Sequence, residues 1–397
     1  MPEDATAHAI HDYLARQRHA MCELVEQLVR AESPSTEPES QAAVQAILRE
    51  VLERVGFRVR RVPGRHSGGH LWAVPRQRSS GLQRQLMLGH GDTVWPVGTL
   101  ESMPFKRDEH HIHGPGVYDM KAGLVQMVFA LEALQALGME PPLRPLIFIN
   151  SDEEIGSPES ARYIRRLSRL VQRVFVLEPS LGVTGKLKTQ RKGVGRFEIV
   201  VYGKAAHAGL NPGEGASAIL ELSYLIQKLF ALNDSERGIT VNVGQIDGGL
   251  RSNVIAPESR ALVDVRMLTR EDARKVEAAI RGVTASTTGM RIVVEGRIGR
   301  EPMEATARNR ALWAAACETG RLLGLTLEEG VAGGGSDGNI TSLCTATLDG
   351  LGAVGDGAHA AHEFVYIDRM VERAALLALL LMMPSIQETA AVSGESP

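Results

Sequence analysis

Acidic and histidine side chains follow several apolar segments of this sequence. They are His90 and Asp92 after QLMLG, Asp152, Glu153 and Glu154 after PLIFINS, Glu178 after VFVL, Asp119 in HGPGVYDMKAG, and His359 after a glycine turn. Carboxylates brought close together repel one another unless a cation neutralises them. If the apolar segments are strands of one α/β sheet, their carboxyl ends bring these groups together. The pattern therefore predicts a site for one or two divalent metal ions.

The neighbouring residues Glu153 and Glu154 indicate what such a site would do. One carboxylate can bind a metal ion while the other takes a proton from water. Because a bound metal lowers the pKa of water from about 15.7 to about 7, a carboxylate is a sufficient base at neutral pH. The residue types thus favour a hydrolase.

The composition is that of a soluble globular protein with more than one domain. The chain has 397 residues, of which 44% are hydrophobic and 23% charged, and this length exceeds the usual size of one compact core. The net charge is -3 and no basic cluster is present, so nucleic acid is not expected as a partner.

Cysteine usage and apolar segments indicate a cytoplasmic protein. Cys22, Cys317 and Cys344 show no C-x-x-C spacing, which favours neither a disulfide framework nor a thiolate zinc site. The amino-terminal segment MPEDATAHAIHDYLARQ is polar and acidic, unlike a signal peptide. The segment AALLALLLMM, residues 374–383, is about half the length that a bilayer requires. We expect it to form a buried helix and expect no membrane partner.

Residues 1–190 and 300–397 are predicted to form a discontinuous α/β catalytic domain with a mixed sheet. Residues 8–55 predict two helices, separated by SPSTEPES, whose last serines can cap the second helix. The runs FRVRRV, HLWAV, QLMLGH, PLIFIN and VFVLEP predict strands, and residues 121–137 a helix. The last helix is expected to be capped by Asp368, and the final segment TAAVSGESP has a disordered composition.

Residues 191–299 predict an inserted α+β domain. Strand, helix, strand, strand, helix and strand patterns follow one another from residue 194. This is the order of a ferredoxin-like unit.

Nine ordered motifs resemble the dinuclear-zinc carboxypeptidases and deacylases. They are GHGDT, GPGVYDMKAG, NSDEEIGS, LEPS, GKAAHAG, SNVIAP, VDVR, GGGSDGN and GDGAHAAHEFV. The family includes glutamate carboxypeptidase (carboxypeptidase G), aminoacylase, acetylornithine deacetylase and succinyl-diaminopimelate desuccinylase. The resemblance extends from about residue 20 to residue 383.

The resemblance implies a role for individual residues. His90 and Glu178 would bind one zinc ion, Glu154 and His359 the other, and Asp119 would bridge them. Asp92 would orient His90, and Glu153 would be the general base. His207 of the inserted domain would stabilise the oxyanion, in many relatives across a dimer interface. A cis peptide bond after Asp119 is also implied, and cobalt or manganese could replace the two zinc ions.

The same resemblance implies a small substrate and a homodimer formed through the inserted domain, which would also close over the site as a lid. Lys186, Arg266 and Arg300 match the cations that hold substrate carboxylates in the carboxypeptidase G branch, and Asn253 matches a substrate contact. Arginine suits a carboxylate because its planar fork donates two parallel hydrogen bonds. These residues favour cleavage of an N-acyl or peptidyl amide to a C-terminal amino acid, with glutamate first.

Several alternatives remain open at this point. Deacylation of the acetylornithine or aminoacylase type uses the same metal chemistry, and a non-hydrolytic binding protein could keep the same fold. Lys186 could be an exposed loop lysine, and Arg266 could be a strand arginine paired within the inserted domain. His362 competes with His359, although Glu363 stands four residues after His359 as the family pattern requires.

Other patterns have simpler explanations. His110, His111 and His113 are most simply a solvated hairpin, and His8, His11 and His19 surface residues of a helix. The loop at 333–338 satisfies both G-x-G-x-x-G and G-x-S-x-G. It lies far from a first βαβ unit, and a serine hydrolase with Ser336 as nucleophile would leave GHGDT, Asp119 and the DEE segment without a role.

Overall fold

A computed structural model describes residues 3–77 and 83–385. The chain divides into two compact units. Unit 1 contains residues 1–189, 305–331 and 336–397, and unit 2 contains residues 190–304 and 332–335.

The helices and strands alternate along most of the chain. The helices are α1 (Asp4–Arg16), α2 (Arg18–Arg30), α3 (Ala42–Arg54), α4 (Thr99–Ser102), α5 (Ala122–Ala136), α6 (Ala161–Ser168), α7 (Ala218–Phe230), α8 (Arg270–Arg281), α9 (Ala307–Arg321), α10 (Asp337–Thr341) and α11 (Ile367–Leu381). The strands are β1 (Phe57–Val62), β2 (His70–Pro75), β3 (Arg84–His90), β4 (Lys106–Arg107), β5 (His111–His113), β6 (Arg144–Asn150), β7 (Arg173–Val176), β8 (Leu187–Arg191), β9 (Gly193–Tyr202), β10 (Thr240–Gly248), β11 (Glu258–Met267), β12 (Arg291–Arg300), β13 (Glu329–Ala332), β14 (Ala346–Leu348), β15 (Gly355–Asp356) and β16 (Phe364–Tyr366). A π-helical turn covers Val117–Lys121 and a 3-10 turn covers Pro212–Glu214.

Unit 1 is built on a mixed six-stranded sheet, which confirms the predicted α/β class. Its strand order is β1-β2-β6-β3-β7-β14. Strands β6, β3, β7 and β14 run parallel, whereas β2 pairs antiparallel with both of its neighbours, β1 and β6. The apolar side chains of β3, β6 and β7 are buried, as expected of parallel strands that helices cover on both faces. The carboxyl ends of β3, β6 and β7 therefore share one edge of the sheet.

A second sheet of unit 1 has the order β15-β16-β5-β4. It lies beside the loop that carries Asp119, which follows β5, and it contains the turn that carries His359, between β15 and β16. This small sheet brings together two chain segments that are distant in sequence.

The amino-terminal region differs from its prediction. Three helices replace the expected two, because the first predicted helix is interrupted at Gln17, which ends α1 and precedes α2. The predicted serine cap of α3 is also wrong. Gln41 is the N-cap and makes no side-chain cap bond, while the Ser40 hydroxyl donates to the Glu37 carbonyl oxygen.

The last helix, α11, is buried as predicted. Its residues 374–381 are inaccessible to solvent, and it packs against α5 and α1. The predicted cap by Asp368 is wrong, because Tyr366 is the N-cap and Asp368 lies in the first turn. The Asp368 carboxylate accepts instead from Arg18 at 2.8 Å. The segment TAAVSGESP lies outside the described residues.

Unit 2 has the ferredoxin-like order of elements. Strands and helices follow one another as β9, α7, β10, β11, α8 and β12, and the antiparallel sheet has the order β10-β11-β9-β12. Apolar side chains of one sheet face pack with those of α7 and α8 in a core of their own. Among the described residues, no helix is both long and apolar enough to span a membrane.

Candidate metal centre and active site

Five side chains at one edge of the unit 1 sheet form two overlapping groups of metal-ligand type. His90, Asp119 and Glu178 form one, and Asp119, Glu154 and His359 form the other. His90 Nε2 lies 3.2 Å from Asp119 Oδ1 and 3.5 Å from Glu178 Oε1. His359 Nε2 lies 3.5 Å from Asp119 Oδ2 and 3.2 Å from Glu154 Oε2. The two oxygens of Asp119 thus face different histidines.

The central sheet positions three of these side chains. His90 ends β3, Glu154 lies in the loop after β6, and Glu178 lies two residues after β7. The register of the parallel strands pairs His90 with Asn150 and Leu88 with Val176. Because parallel strands end at the same edge, residues that are 24 to 88 positions apart in sequence meet there.

The loop that carries Asp119 is held by a buried carboxylate. Glu363 accepts from the backbone N–H groups of Gly116, Tyr118 and Asp119 at 2.8, 2.8 and 3.0 Å. Its second oxygen also accepts from Trp95 Nε1 at 2.9 Å. The Asp119–Met120 peptide bond is cis, as the family resemblance implied. Glu363 therefore fixes the backbone that presents the shared ligand.

Asp92 contacts His90 on the side away from the other ligands. His90 Nδ1 lies 3.0 Å from the Asp92 carbonyl oxygen and 3.6 Å from its carboxylate Oδ1. The carboxylate also accepts from Ser35 Oγ at 2.6 Å and from the Glu154 backbone N–H at 3.2 Å. A donor bond from Nδ1 directs Nε2 toward Asp119 and Glu178, since only one ring nitrogen of a neutral histidine carries the proton.

Charge coupling within the five side chains is strong. Burial lowers the pKa of His90, but hydrogen bonds to Asp119 and Glu178 outweigh it and hold that pKa well above its usual value. Hydrogen bonds to Asp119 and Glu154 raise the pKa of His359 to about 10. Burial, followed by the Asp119 charge, raises the pKa of Glu154 to about 7.

The donor set fits two divalent cations. It consists of two imidazoles and three carboxylates, which are the nitrogen and oxygen ligands that zinc takes in catalytic sites. Four of the five side chains are at most 15% exposed. Glu154 Oε1 is buried without a hydrogen-bond partner, and such a carboxylate oxygen is costly unless a cation or water binds it.

A family profile decides the wider classification. The profile of peptidase family M20/M25/M40 matches residues 86–383, about three quarters of the chain. The chain belongs to peptidase family M20/M25/M40. It is therefore a hydrolase that acts on peptide or amide bonds, which confirms the predicted class and the resemblance stated from the motifs.

Individual relatives agree with this assignment. The peptidase is 27% identical to carboxypeptidase G2 of Pseudomonas sp. (strain RS-16) over 378 residues, 92% of this chain and 89% of that protein. Its fold is similar to that of aminopeptidase PepT from Bacillus cereus, with a TM-score of 0.77, 20% identity, and coverage of 92% and 98% of the two chains. It is also similar to that of YXEP from Bacillus subtilis, described as a dinuclear metal-binding peptidase, with a TM-score of 0.66, 16% identity, and coverage of 93% and 98%.

Two of the remaining predicted site residues meet within unit 2 of the peptidase. The Ala208 N–H donates to the Asn253 carbonyl oxygen at 3.0 Å, which joins the segments of His207 and Asn253. Both side chains are exposed. The backbone N–H groups of Gly209 and Leu210 donate to His207 Nδ1 at 3.1 and 3.2 Å. The neutral ring consequently carries its proton on Nε2, which points away from these amides.

The predicted substrate cations have partners within the chain. Arg266 and Arg300 both pair with Val194 across the unit 2 sheet, so they belong to one row on the same face. The Arg266 fork donates to both oxygens of Asp264, at 2.7 and 3.0 Å. Lys186 lies in unit 1 and pairs with Glu328 at 2.8 Å while 40% exposed.

The competing histidines occupy other places. His362 is exposed and belongs to neither of the two groups, whereas His359 belongs to one of them. His111 and His113 lie on the β4-β5 hairpin and form a third possible ligand group with Asp108. Its members are partly or fully exposed, and the Asp108 carboxylate already accepts from the backbone N–H groups of His110 and His111.

Ser336 has a structural position in the peptidase. It is inaccessible to solvent, its hydroxyl donates to Asp349 at 2.6 Å and accepts from Gly338 at 3.0 Å, and it caps α10. A buried hydroxyl with these bonds does not suit a nucleophile, which must be open to the substrate.

Lys188 is a charged residue that the sequence analysis missed. It is 7% exposed. Burial acts to raise the pKa of Asp119, but hydrogen bonds with His359 and His90 and the charges of His90 and Lys188 outweigh it and lower that pKa far below its usual range. The sequence offered no signal for Lys188, because its burial follows from the structure and the burial pattern of β8 does not alternate.

Proposed function

We propose that this peptidase is a dinuclear zinc hydrolase that releases a C-terminal amino acid from an N-acyl or peptidyl amide. The observation that carries the proposal is the pair of ligand groups that share Asp119. His90 and Glu178 would hold one zinc ion, Glu154 and His359 the other, and Asp119 both. Cobalt or manganese could serve at the same ligands.

Bound zinc would supply a polarised carbonyl and water of lowered pKa. Asp92 would keep His90 Nε2 directed at the site through the contact with Nδ1. Glu363 would keep Asp119 in place through its three bonds to the backbone of that loop.

Glu153 would act as the general base. It is 9% exposed, it is adjacent in sequence to the ligand Glu154, and it belongs to neither ligand group. The Glu153 carboxylate would take a proton from the attacking water and deliver it to the leaving nitrogen. His207 would donate from Nε2 to the oxyanion, a role that its amide-bound Nδ1 supports.

Glutamate is the first candidate for the released amino acid. The 27% identity with carboxypeptidase G2 over 92% of the chain supports this choice, as does the resemblance to that branch at Lys186, Arg266, Arg300 and Asn253. Arg266 would have to turn from Asp264 toward the substrate carboxylate, since its fork is already bound.

One other function competes with this proposal. Deacylation of acetylornithine or aminoacylase type would use the same ligands with another pocket. Zinc-loaded enzyme should be assayed on p-aminobenzoyl-glutamate, N-acetylornithine and a set of N-acetyl amino acids. Preferred turnover of the glutamate compound supports the proposal. Preference for N-acetylornithine would favour the deacylase.

Unit 2 would serve as lid and as dimerisation domain. The family resemblance and the independent core of this unit support that assignment. Sedimentation velocity should show a dimer at the concentrations at which the enzyme turns over. A monomer that is fully active would contradict the assignment.

A further inference from the structure

The loop between Asn150 and Ser157 carries both the proposed base and a proposed zinc ligand. Within it, the Ser157 N–H donates to the Asp152 carbonyl oxygen and the Gly156 N–H to the Glu153 carbonyl oxygen, both at 2.7 Å. Ser157 adopts a left-handed backbone conformation with φ 58°. The loop is therefore a tight turn closed on itself. Asp92 holds the Glu154 N–H within it, and its two ends are held separately.

A single carboxylate holds both ends of this loop. Asp337 Oδ2 accepts from Asn150 Nδ2 at 2.7 Å, and Asp337 Oδ1 accepts from Ser157 Oγ at 2.5 Å. The three residues are at most 3% exposed. Bonds to a buried carboxylate are stronger than bonds between neutral groups, and they are costly to lose.

Asp337 is itself rigidly placed. It is the first residue of α10, whose N-cap Ser336 forms a capping box with Asn339. Ser336 also donates to the buried Asp349. A side chain at Gly338 would meet Asp349 Oδ2 at 2.4 Å, so only glycine allows this close approach. Each residue of the segment SDGN thus contributes to the placement of the Asp337 carboxylate.

We propose that Asp337 is a positioning residue for the reaction, which orients Glu153 and Glu154 through the two ends of their loop. This inference rests on the proposed function. It gives the segment SDGN a role in catalysis without any contact with the substrate. A displacement of about 1 Å at a base or ligand lowers catalysis strongly.

The test compares four variants with wild-type enzyme. Asp337→Ala removes both bonds, and Ser157→Ala removes only one. In Asp337→Asn, the amide oxygen can still accept from Asn150 and the amide nitrogen can donate to the Ser157 hydroxyl, so both contacts remain. Thr347→Val is the matched control, since it removes a buried hydroxyl that bonds Thr341, the last residue of α10, but does not contact the loop. For each variant, kcat and KM on p-aminobenzoyl-glutamate, zinc affinity against a chromophoric chelator, and Tm should be measured.

Asp337→Ala should lower kcat by about 10- to 100-fold, the range for residues that orient ligands. It should lower zinc affinity at the ligand group that contains Glu154 by a similar factor. KM should change less than about threefold. Ser157→Ala should lose less kcat and zinc affinity than Asp337→Ala. Asp337→Asn should retain most of the kcat and zinc affinity of the wild-type enzyme. Thr347→Val should lower Tm without a change in kcat. If Asp337→Ala does not fold, Ser157→Ala and Asp337→Asn carry the comparison.

Two outcomes would overturn the inference. In one, Asp337→Ala keeps wild-type kcat and zinc affinity. In the other, Thr347→Val loses as much kcat as Asp337→Ala, which would assign the effect to general destabilisation. If wild-type enzyme does not cleave the substrate at all, the proposed function fails, and the zinc affinities of the same variants still decide the role of Asp337.

Discussion

At the scale of single residues, Glu153 and Glu154 are neighbours in sequence with different surroundings. Glu154 lies 3.2 Å from His359 Nε2, and its pKa is raised to about 7 by burial and by the Asp119 charge. Glu153 belongs to neither ligand group. The two residues should therefore produce separable defects when they are changed.

Glu153→Ala should retain both zinc ions and lose most of the turnover, on the order of 100-fold or more, because it removes the base and no ligand. Glu154→Ala and His359→Ala should lose zinc as well as turnover. Zinc per chain from elemental analysis and kcat on p-aminobenzoyl-glutamate provide the check. His362→Ala is the matched control for an exposed histidine that belongs to neither ligand group, and its zinc content should equal that of wild type. Near-normal turnover of Glu153→Ala would show that the base is assigned incorrectly.

Zinc affinity should rise with pH. The pKa of His359 is raised to about 10 and that of His90 lies well above its usual value, so both rings are protonated at pH 7 in metal-free protein. A metal binds only the neutral rings, and binding should release about two protons, with a further fraction from Glu154. Because each zinc ion displaces the proton of one histidine, the apparent affinity for each ion should increase by roughly 10-fold per pH unit near neutrality. Calorimetry in buffers of different ionisation enthalpy measures the protons released, and zero net release would contradict the coupled site.

At the scale of elements, Glu363 joins the small sheet β15-β16-β5-β4 to the Asp119 loop. It directly precedes β16 and accepts hydrogen bonds from the backbone of that loop. Burial raises the pKa of Glu363 to about 7, although its bonds to Asp119, Gly116, Trp95 and Tyr118 act to lower it. The carboxylate connects the end of the small sheet to the loop that presents the shared ligand.

Glu363→Ala should weaken zinc binding at both positions by about 10- to 100-fold, because Asp119 belongs to both ligand groups. Competition with a chromophoric chelator measures this affinity. Glu372→Ala on α11, which removes a surface pair with Arg369, should leave it unchanged. Loss of zinc at only one position, or at neither, would contradict a role for Glu363 in placing the shared ligand.

Much of the fold could be predicted because local signals and tertiary structure agree. The buried strands β3, β6 and β7 appear as apolar runs, and the groups that follow them meet at one sheet edge. Helix caps were predicted less well, because a serine can bond to a nearby carbonyl instead of a helix amide. Ser40 does so with Glu37, and Asp368 pairs with Arg18, 350 residues away.

For the candidate site, too, one part could be predicted from the sequence and another part could not. Short spacings and family motifs identified the ligand candidates, whereas contacts between distant segments could not be read from the sequence. Asp337 bonds Asn150 across 187 positions, and Glu363 bonds Gly116 across 247. The sequence also does not show that Arg266 is paired with Asp264, because that bond depends on side-chain conformation.

At the scale of the whole molecule, the proposal requires residues from both units. The ligands and the base lie in unit 1, and His207 lies in unit 2. His207→Ala should leave zinc content unchanged and lower kcat by about 100-fold, the order expected for one oxyanion donor. If His207 acts across a dimer, mixed dimers of Glu153→Ala and His207→Ala chains should regain activity.

Each mixed dimer would contain one site with both residues intact. Random mixing of equal amounts should then restore about one quarter of wild-type kcat, since half the dimers are mixed and each has one competent site of two. Each variant mixed with itself is the control. Absence of recovery from chains shown to exchange would contradict donation of His207 across the dimer.

Amide hydrolysis by this peptidase should require two metal ions bound at the Asp119 site. The most direct test is glutamate release from p-aminobenzoyl-glutamate by enzyme as purified, after chelation, and during titration with zinc. Chelation should abolish turnover, and activity should return as zinc rises to about two ions per chain. Turnover that survives complete removal of metal from folded enzyme would contradict this requirement.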